Sequence, residues 1–267
     1  MQNKTQEAIR ELHLNMGSPI YHTYIRDFKV DGQAPKLKIE DKTHRYLIYE
    51  LPKPLKAGQQ AKMEISLRAE NRGFTNSGFN REIVHNGTFL NLGIFPSFGY
   101  SADAELTSDK YRKKYGLPEK KYLAPPQNDP YGLRTLLFND DADYVSFEAV
   151  VSTVPDQMAV APGYLKKTWE EKGRRYFHYE MDQKMDLFFN ISSAKYALTR
   201  DEWKGPKGQK VNIEIYHHPT HHYNLDRFVK SVKVALDYYS QFFSPYQYRQ
   251  MRILEFPRYA GFAQSFP

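Results

Sequence analysis

The sequence predicts a mainly β protein of antiparallel strands, with one long helix near its C-terminal end. Three observations carry this. Segments with apolar and polar residues alternating at period two recur along the first 220 residues, the spacing of a half-buried strand. Gly, Pro and Asn punctuate them at short intervals. No strand-helix alternation points to a parallel nucleotide-binding sheet. Lys62-Met63-Glu64-Ile65-Ser66-Leu67-Arg68, with Met63, Ile65 and Leu67 on one face, is the cleanest case and reads as part of a sandwich or one-sided sheet.

In chain order, residues 1–18 contain no apolar run of signal-peptide type and read as a short amphipathic helix. Residues 43–51, 144–152, 175–181, 187–192 and 211–216 are rich in Tyr, Phe, Val and Ile and read as strands. Gly58-Gln59, Asn139-Asp140-Asp141 and Glu171-Lys172-Gly173 read as hairpin turns. A short helix is expected over 108–115, capped by Thr107 or Ser108 and ended by Gly116, followed by a Pro-rich irregular loop over 117–131. From Leu225, the residues Phe228, Val229, Val232, Leu236, Tyr239, Phe242 and Phe243 recur mostly at spacings of three and four. Asn224 is the expected N-cap, and Ser244-Pro245 the stop. The pattern changes near Tyr223, which places a domain boundary there: 1–222 β-rich, 223–267 the start of a second domain.

The 267 residues carry 38 Lys+Arg against 31 Asp+Glu, a formal charge of +7. With 40% hydrophobic and 15% aromatic residues, the chain is long enough to bury a core. No run approaches the roughly 18 apolar residues of a membrane span. The absence of Cys removes disulfides, thiolate nucleophiles, thiolate zinc sites and iron-sulfur clusters together. Asn86-Gly87-Thr88 and Asn190-Ile191-Ser192 match glycosylation sequons, a triplet that also arises by chance.

Most motif chemistry is missing. Neither H-E-x-x-H nor H-x-x-E-H occurs, nor G-x-S-x-G, nor either phosphate-cradling glycine loop. The densest set of metal-type ligands is His217-His218-Pro219-Thr220-His221-His222; Pro219 denies it a helix, so a strand-to-helix turn with some buried imidazoles is the favoured reading. Asn139-Asp140-Asp141-Ala142-Asp143 lacks the glycine and bidentate Glu of a calcium loop and reads as a solvated turn. The basic runs Tyr111-Arg112-Lys113-Lys114-Tyr115 and Lys120-Lys121 are not laid along one helix, so nucleic acid is not an expected partner.

Two stretches rise above this background. Arg252-Ile253-Leu254-Glu255-Phe256-Pro257 and the residues up to Pro267 resemble the strand of aminopeptidase N-type zinc metallopeptidases, the gluzincins, that carries a G-x-M-E-N exopeptidase motif; Gly261-Phe262-Ala263-Gln264-Ser265 occupies the motif. Residues 154–163, Val-Pro-Asp-Gln-Met-Ala-Val-Ala-Pro-Gly, are similar to the strand and turn that precede the catalytic domain in that family. Asn86-Gly87-Thr88-Phe89-Leu90-Asn91, Phe95-Pro96-Ser97-Phe98-Gly99-Tyr100, Glu105-Leu106 and Arg112-Lys113-Lys114-Tyr115-Gly116-Leu117 resemble a bacterial branch fused behind the membrane segments of ABC-2-type transporter permeases.

The resemblance covers residues 40–267 and implies an antiparallel, saddle-shaped β-sandwich domain followed by the start of an α+β, thermolysin-like catalytic domain. It further implies that zinc, its ligands and the general base belong to a part of the protein beyond Pro267. The chain is then expected to be inactive alone. Its expected partners are a peptide substrate or partner protein, the remainder of its own catalytic domain, and permease segments. The expected location is a soluble region of a membrane-associated protein on the extracytoplasmic side.

By the same resemblance Gly261, Phe262, Ala263, Gln264 and Ser265, with Asn86 and Thr88 from the β-rich domain, are the expected substrate-binding residues. Gln264 stands where the family has a Glu. Its neutral amide forgoes the charge-assisted bond a carboxylate makes to an ammonium group, which implies altered specificity or a non-peptidase role. The alternative, from a different class, is a self-contained β-sandwich module whose exposed aromatic residues bind a peptide, glycan or protein.

Overall fold

A computed structural model describes residues 1–267 apart from 74–75, 77–79, 100–104, 121–125, 131, 135–143, 207, 259 and 267. The strands, in chain order, are β1 (Ile9–Asn15), β2 (Thr23–Val30), β3 (Lys36–Asp41), β4 (Tyr46–Leu55), β5 (Met63–Ala69), β6 (Ile83–Val84), β7 (Gly87–Asn91) and β8 (Ser97–Phe98). They continue as β9 (Glu148–Thr153), β10 (Met158–Val160), β11 (Tyr164–Glu171), β12 (Arg174–Glu180), β13 (Asn190–Ala194), β14 (Ala197–Lys204), β15 (Lys210–His217) and β16 (Gln250–Leu254). The helices are α1 (Asp109–Lys114) and α2 (Leu225–Phe242). The protein is mainly β, as its alternation predicts.

The chain forms two compact units. The first comprises Met1–Asn80, Asn91–Val145 and Asp186–Phe188. It holds a four-stranded sheet, β3-β4-β1-β8, and a two-stranded sheet, β2-β5, which share one core. Leu12 and Leu14 from β1, Leu51 and Leu55 from β4, and Phe28 and Val30 from β2 fill it. Phe28 meets Tyr49 edge to face, with ring centroids 5.0 Å apart. In β5, Met63 and Ile65 pack on this core, as the period-two pattern requires.

The second unit comprises Arg81–Leu90, Ser146–Met185 and Phe189–Pro267. It contains the sheets β10-β13-β7-β6, β11-β12-β9 and β14-β15-β16. The β11–β12 hairpin turns at Lys172 and Gly173, both at positive φ (49° and 72°), the backbone a two-residue turn demands. Helix α2 lies on the third sheet, with Leu236 buried among Trp203, Val211 and Ile213. The Trp203 indole N–H donates to Asp237 at 2.8 Å.

Several expectations are corrected. The N-terminal segment is not helical: its apolar positions serve both periods, and pairing of β1 with β4 and β8 selects the strand, burying Leu12, Leu14 and Met16 on one side. Asn3 is fully buried ahead of it, donating to Leu55 O and Glu7 O at 2.8 Å. The strand expected at 43–51 begins only at Tyr46, because Asp41 accepts from the His44 amide at 3.0 Å and closes a turn first. Gly58-Gln59 is a turn but not a hairpin, since β4 and β5 belong to different sheets.

Asn224 sits at the N-cap of α2 but in the left-handed region (φ 63°), and its side chain makes no capping bond. Ser108 likewise precedes α1 without a side-chain cap bond, while Gly116 ends that helix at φ 69°. Among the described residues one strand pair is parallel: α2 carries the chain from β15 to β16. The turn expected at 139–141, the calcium-like stretch 139–143, Lys121 and part of the 117–131 loop lie outside the described residues.

Candidate functional site

A cleft of about 530 Å³ opens in the second unit. One wall is Val160 at the end of β10 with the turn Ala161-Pro162-Gly163, and another is β16 continued by Glu255 and Phe256. Phe89 of β7 and the segment Ala263, Gln264, Ser265 and Phe266 line it as well. The turn needs its glycine. Gly163 sits at φ 90°, and a Cβ there would lie 2.5 Å from the Glu180 carbonyl carbon.

Side chains from β16 bind this turn. The Gln250 amide donates to Gly163 O at 2.8 Å. The Arg252 guanidinium donates to Ala161 O at 3.0 Å and also to Gly163 O. It lies over the Tyr179 ring, 5.5 Å from its centroid. Burial pushes the Tyr179 hydroxyl up to about 12 against the opposing charge of Arg252, and it donates to Ala159 O at 2.9 Å. Burial likewise pushes Tyr246 up to about 12 and raises Tyr196 and Tyr216, so these phenols stay neutral donors.

The second polar centre is Glu255. Its carboxylate accepts from the His218 amide at 2.7 Å and meets His221 Nδ1 at 2.5 Å. Burial raises its pKa, but the His218 amide and the bond and charge of His221 outweigh burial and hold it below the usual carboxylate value. The Tyr196 hydroxyl donates to Glu255 O at 2.8 Å. The histidine run is indeed a strand-to-helix turn with one buried imidazole: His217 is buried and bonds the His218 carbonyl at 2.9 Å, and His222 bonds the Pro219 carbonyl at 3.1 Å.

Of the residues expected to bind substrate, Ala263, Gln264 and Ser265 line the cleft. Gly261 to Ser265 lie outside any strand; among the described residues of this stretch only β16 is a strand, and it ends at Leu254, so the motif segment follows the edge strand rather than forming it. Phe262 is 48% exposed, and its ring lies tilted against that of Phe256 with centroids 5.0 Å apart. A Cβ at Gly261 would touch nothing within 4 Å. Asn86 and Thr88 are not on the cleft wall. Asn86 donates to Pro257 O at 3.1 Å, and Thr88 exchanges a 2.9 Å bond with Ser193.

Sequence reasoning overlooked Arg252 and Glu255 as individual residues. Their signal was present: two charges inside the apolar run Met251-Arg252-Ile253-Leu254-Glu255-Phe256, where a charge needs a partner to be buried.

Among the described residues no group of three or more His, Asp or Glu converges to hold a metal, and His218 and His221 both engage Glu255. These residues do not fit a zinc site.

The fold is similar to that of part of the solved M1 zinc metallopeptidases. The chain is similar to an M1 zinc metallopeptidase from Deinococcus radiodurans (12% identity, TM-score 0.57), with 96% of this chain and 51% of that one aligned. A variant of that Deinococcus enzyme bound to a Tyr-Ser-Ala substrate is similar at 11% identity and TM-score 0.54, over 96% of this chain and 51% of that one. So is Legionella pneumophila aminopeptidase A in complex with aspartic acid, at 13% identity and TM-score 0.58, over 92% of this chain and 24% of that one. The chain thus spans about half the length of the Deinococcus structures. No family model matches the sequence, and no curated protein matches it.

Proposed function

We propose that this chain is the N-terminal, cleft-forming part of an aminopeptidase N-like zinc metallopeptidase region, and that it does not catalyse hydrolysis alone. One observation carries the reading: a fold likeness that takes in 96% of this chain yet 51% of its Deinococcus neighbour. Three of the five residues in the G-x-M-E-N position, Ala263, Gln264 and Ser265, lie on the cleft wall. Gly261, Phe262, Asn86 and Thr88 complete the proposed substrate-binding set. The boundary near residue 222, which rests on the change of pattern near Tyr223, and fusion to an ABC-2-type permease with an extracytoplasmic location, which rest on the sequence resemblance, belong to the same proposal. In this reading zinc is held by the rest of the protein, and the ligand is a peptide.

Two measurements test it. The purified chain should not hydrolyse aminoacyl anilides with or without added zinc; zinc-dependent turnover overturns the proposal. An antibody against the chain should detect a much larger product in the membrane fraction of source cells, whereas a free product of 267 residues in the cytosol rejects the fusion. A second reading, a binding module, is favoured by one feature: Tyr238, Tyr239, Phe242 and Phe243 are all more than half exposed at the end of α2.

A further inference from the structure

Arg252 is a cation in the wall of the cleft that, among the described residues, forms no ion pair with an acid. Its residue-by-residue neighbour across the parallel ladder is Glu214, but Glu214 is engaged by Arg200 at 3.2 Å and by the Tyr216 hydroxyl at 2.9 Å. Among the described residues no carboxylate forms an ion pair with Arg252. Its charge meets two main-chain carbonyls, those of Ala161 and Gly163, and the face of Tyr179. A guanidinium has five N–H donors in a fixed planar fork, so these two bonds orient the group and leave three donors over.

The setting makes that charge count. Arg252 and both residues whose carbonyls hold it line the same cleft, alongside Phe89, Phe256 and Phe266. Phe89 lies edge to face with Phe256 at 4.8 Å, so an apolar surface borders the cation. A charge beside low-dielectric walls acts on a ligand more strongly than one in open water. The Gly163 carbonyl that Arg252 meets belongs to a turn packed closely against Glu180.

We propose that Arg252 is an oxyanion anchor, and that the cleft takes a short peptide with an acidic side chain set against this guanidinium. The peptide part rests on the reading of the cleft given under Proposed function; the acidic preference rests on Arg252. A cleft of about 530 Å³ is of the size that holds small ligands. The bidentate match between guanidinium and carboxylate supplies the discrimination, since a Gln side chain offers neither the charge nor two equivalent acceptors.

The experiment titrates the chain with the C-terminally amidated tripeptides Ala-Glu-Ala and Ala-Gln-Ala and with free glutarate, by calorimetry at low and moderate salt. Ala-Glu-Ala should bind at least tenfold more tightly than Ala-Gln-Ala, and raising the salt should shrink the difference. Arg252→Met should bring the two peptides within about twofold, whereas Arg252→Lys, which keeps the charge but loses the fork, should retain part of the preference. Retention of the preference by a cooperatively folded Arg252→Met variant overturns the anchor. Equal binding of both peptides overturns the acidic preference and leaves the peptide cleft standing, while binding of neither sinks the peptide cleft as well. Glutarate binding as tightly as Ala-Glu-Ala overturns the peptide part, making the ligand a free carboxylate.

Discussion

Arg258 donates to the Glu82 carboxylate at 3.2 Å across 176 residues of sequence, with side chains only 17% and 10% exposed. Burial raises the pKa of Glu82, and the charge and hydrogen bond of Arg258 oppose that rise. The folded state therefore holds this proton more tightly than the unfolded chain does. Stability falls as pH climbs from the ordinary value of 4.5 through the raised one. Arg258→Met removes the opposing cation, so it should cost roughly 3 kcal/mol at neutral pH and recover toward pH 5. Urea midpoints at pH 5 and 7.5 check this; a loss independent of pH would contradict it.

Glu255 has the opposite sign. Its folded pKa lies below 4.5, so its stabilising contribution is complete above the unfolded value and is lost as pH falls through the lowered one. Glu255→Gln should flatten the acid limb of stability between pH 5 and 3, and His221→Ala should flatten it in part. Parallel acid limbs for the parent and both variants would remove Glu255 from the account.

Gly87, at φ 153°, lies where a Cβ would come 1.9 Å from the Ser193 carbonyl oxygen on the neighbouring strand. The clash is with backbone, which cannot rotate aside. Gly87→Ala should cost more than about 3 kcal/mol or leave the protein insoluble. Gly173→Ala offers a control with nothing within 4 Å of its Cβ, and should lose only the smaller strain of its positive φ. Thermal unfolding of the two variants should rank them in that order.

Trp203 ties α2 to its sheet by burial and by the bond to Asp237. Trp203→Ala should destabilise by about 3 to 5 kcal/mol. Trp203→Phe should cost less, by keeping a large apolar group while abandoning the hydrogen bond. Equal losses would show that the bond, not the packing, holds the helix.

Much of the fold could be read locally. The strands β5, β12 and β15, the Lys172-Gly173 turn and the whole of α2 follow from periods of two and 3.6 and from a glycine suited to positive φ. The candidate site was legible only as a segment: the resemblance at 261–265 leads to Ala263, Gln264 and Ser265 on the cleft wall, but Asn86 and Thr88 face Pro257 and Ser193 instead. Nothing within a window of ten residues says that Thr88 reaches Ser193 on the neighbouring strand or that Asn86 reaches the Pro257 carbonyl.

The sequence alone therefore determined the β-rich class, the helix that follows it, and that these 267 residues hold neither a cysteine nor an H-E-x-x-H motif, because each depends on residue types and their spacing. Only the tertiary structure decided that the N-terminal segment is a strand, that β15 and β16 run parallel, and that Arg252 stands in a cleft with carbonyls for partners. Those outcomes depend on which distant backbone groups and charges arrive opposite one another. Leu12 meets Tyr49, Arg252 meets Ala161 and Arg258 meets Glu82 through separations of 37, 91 and 176 residues, which no local pattern encodes.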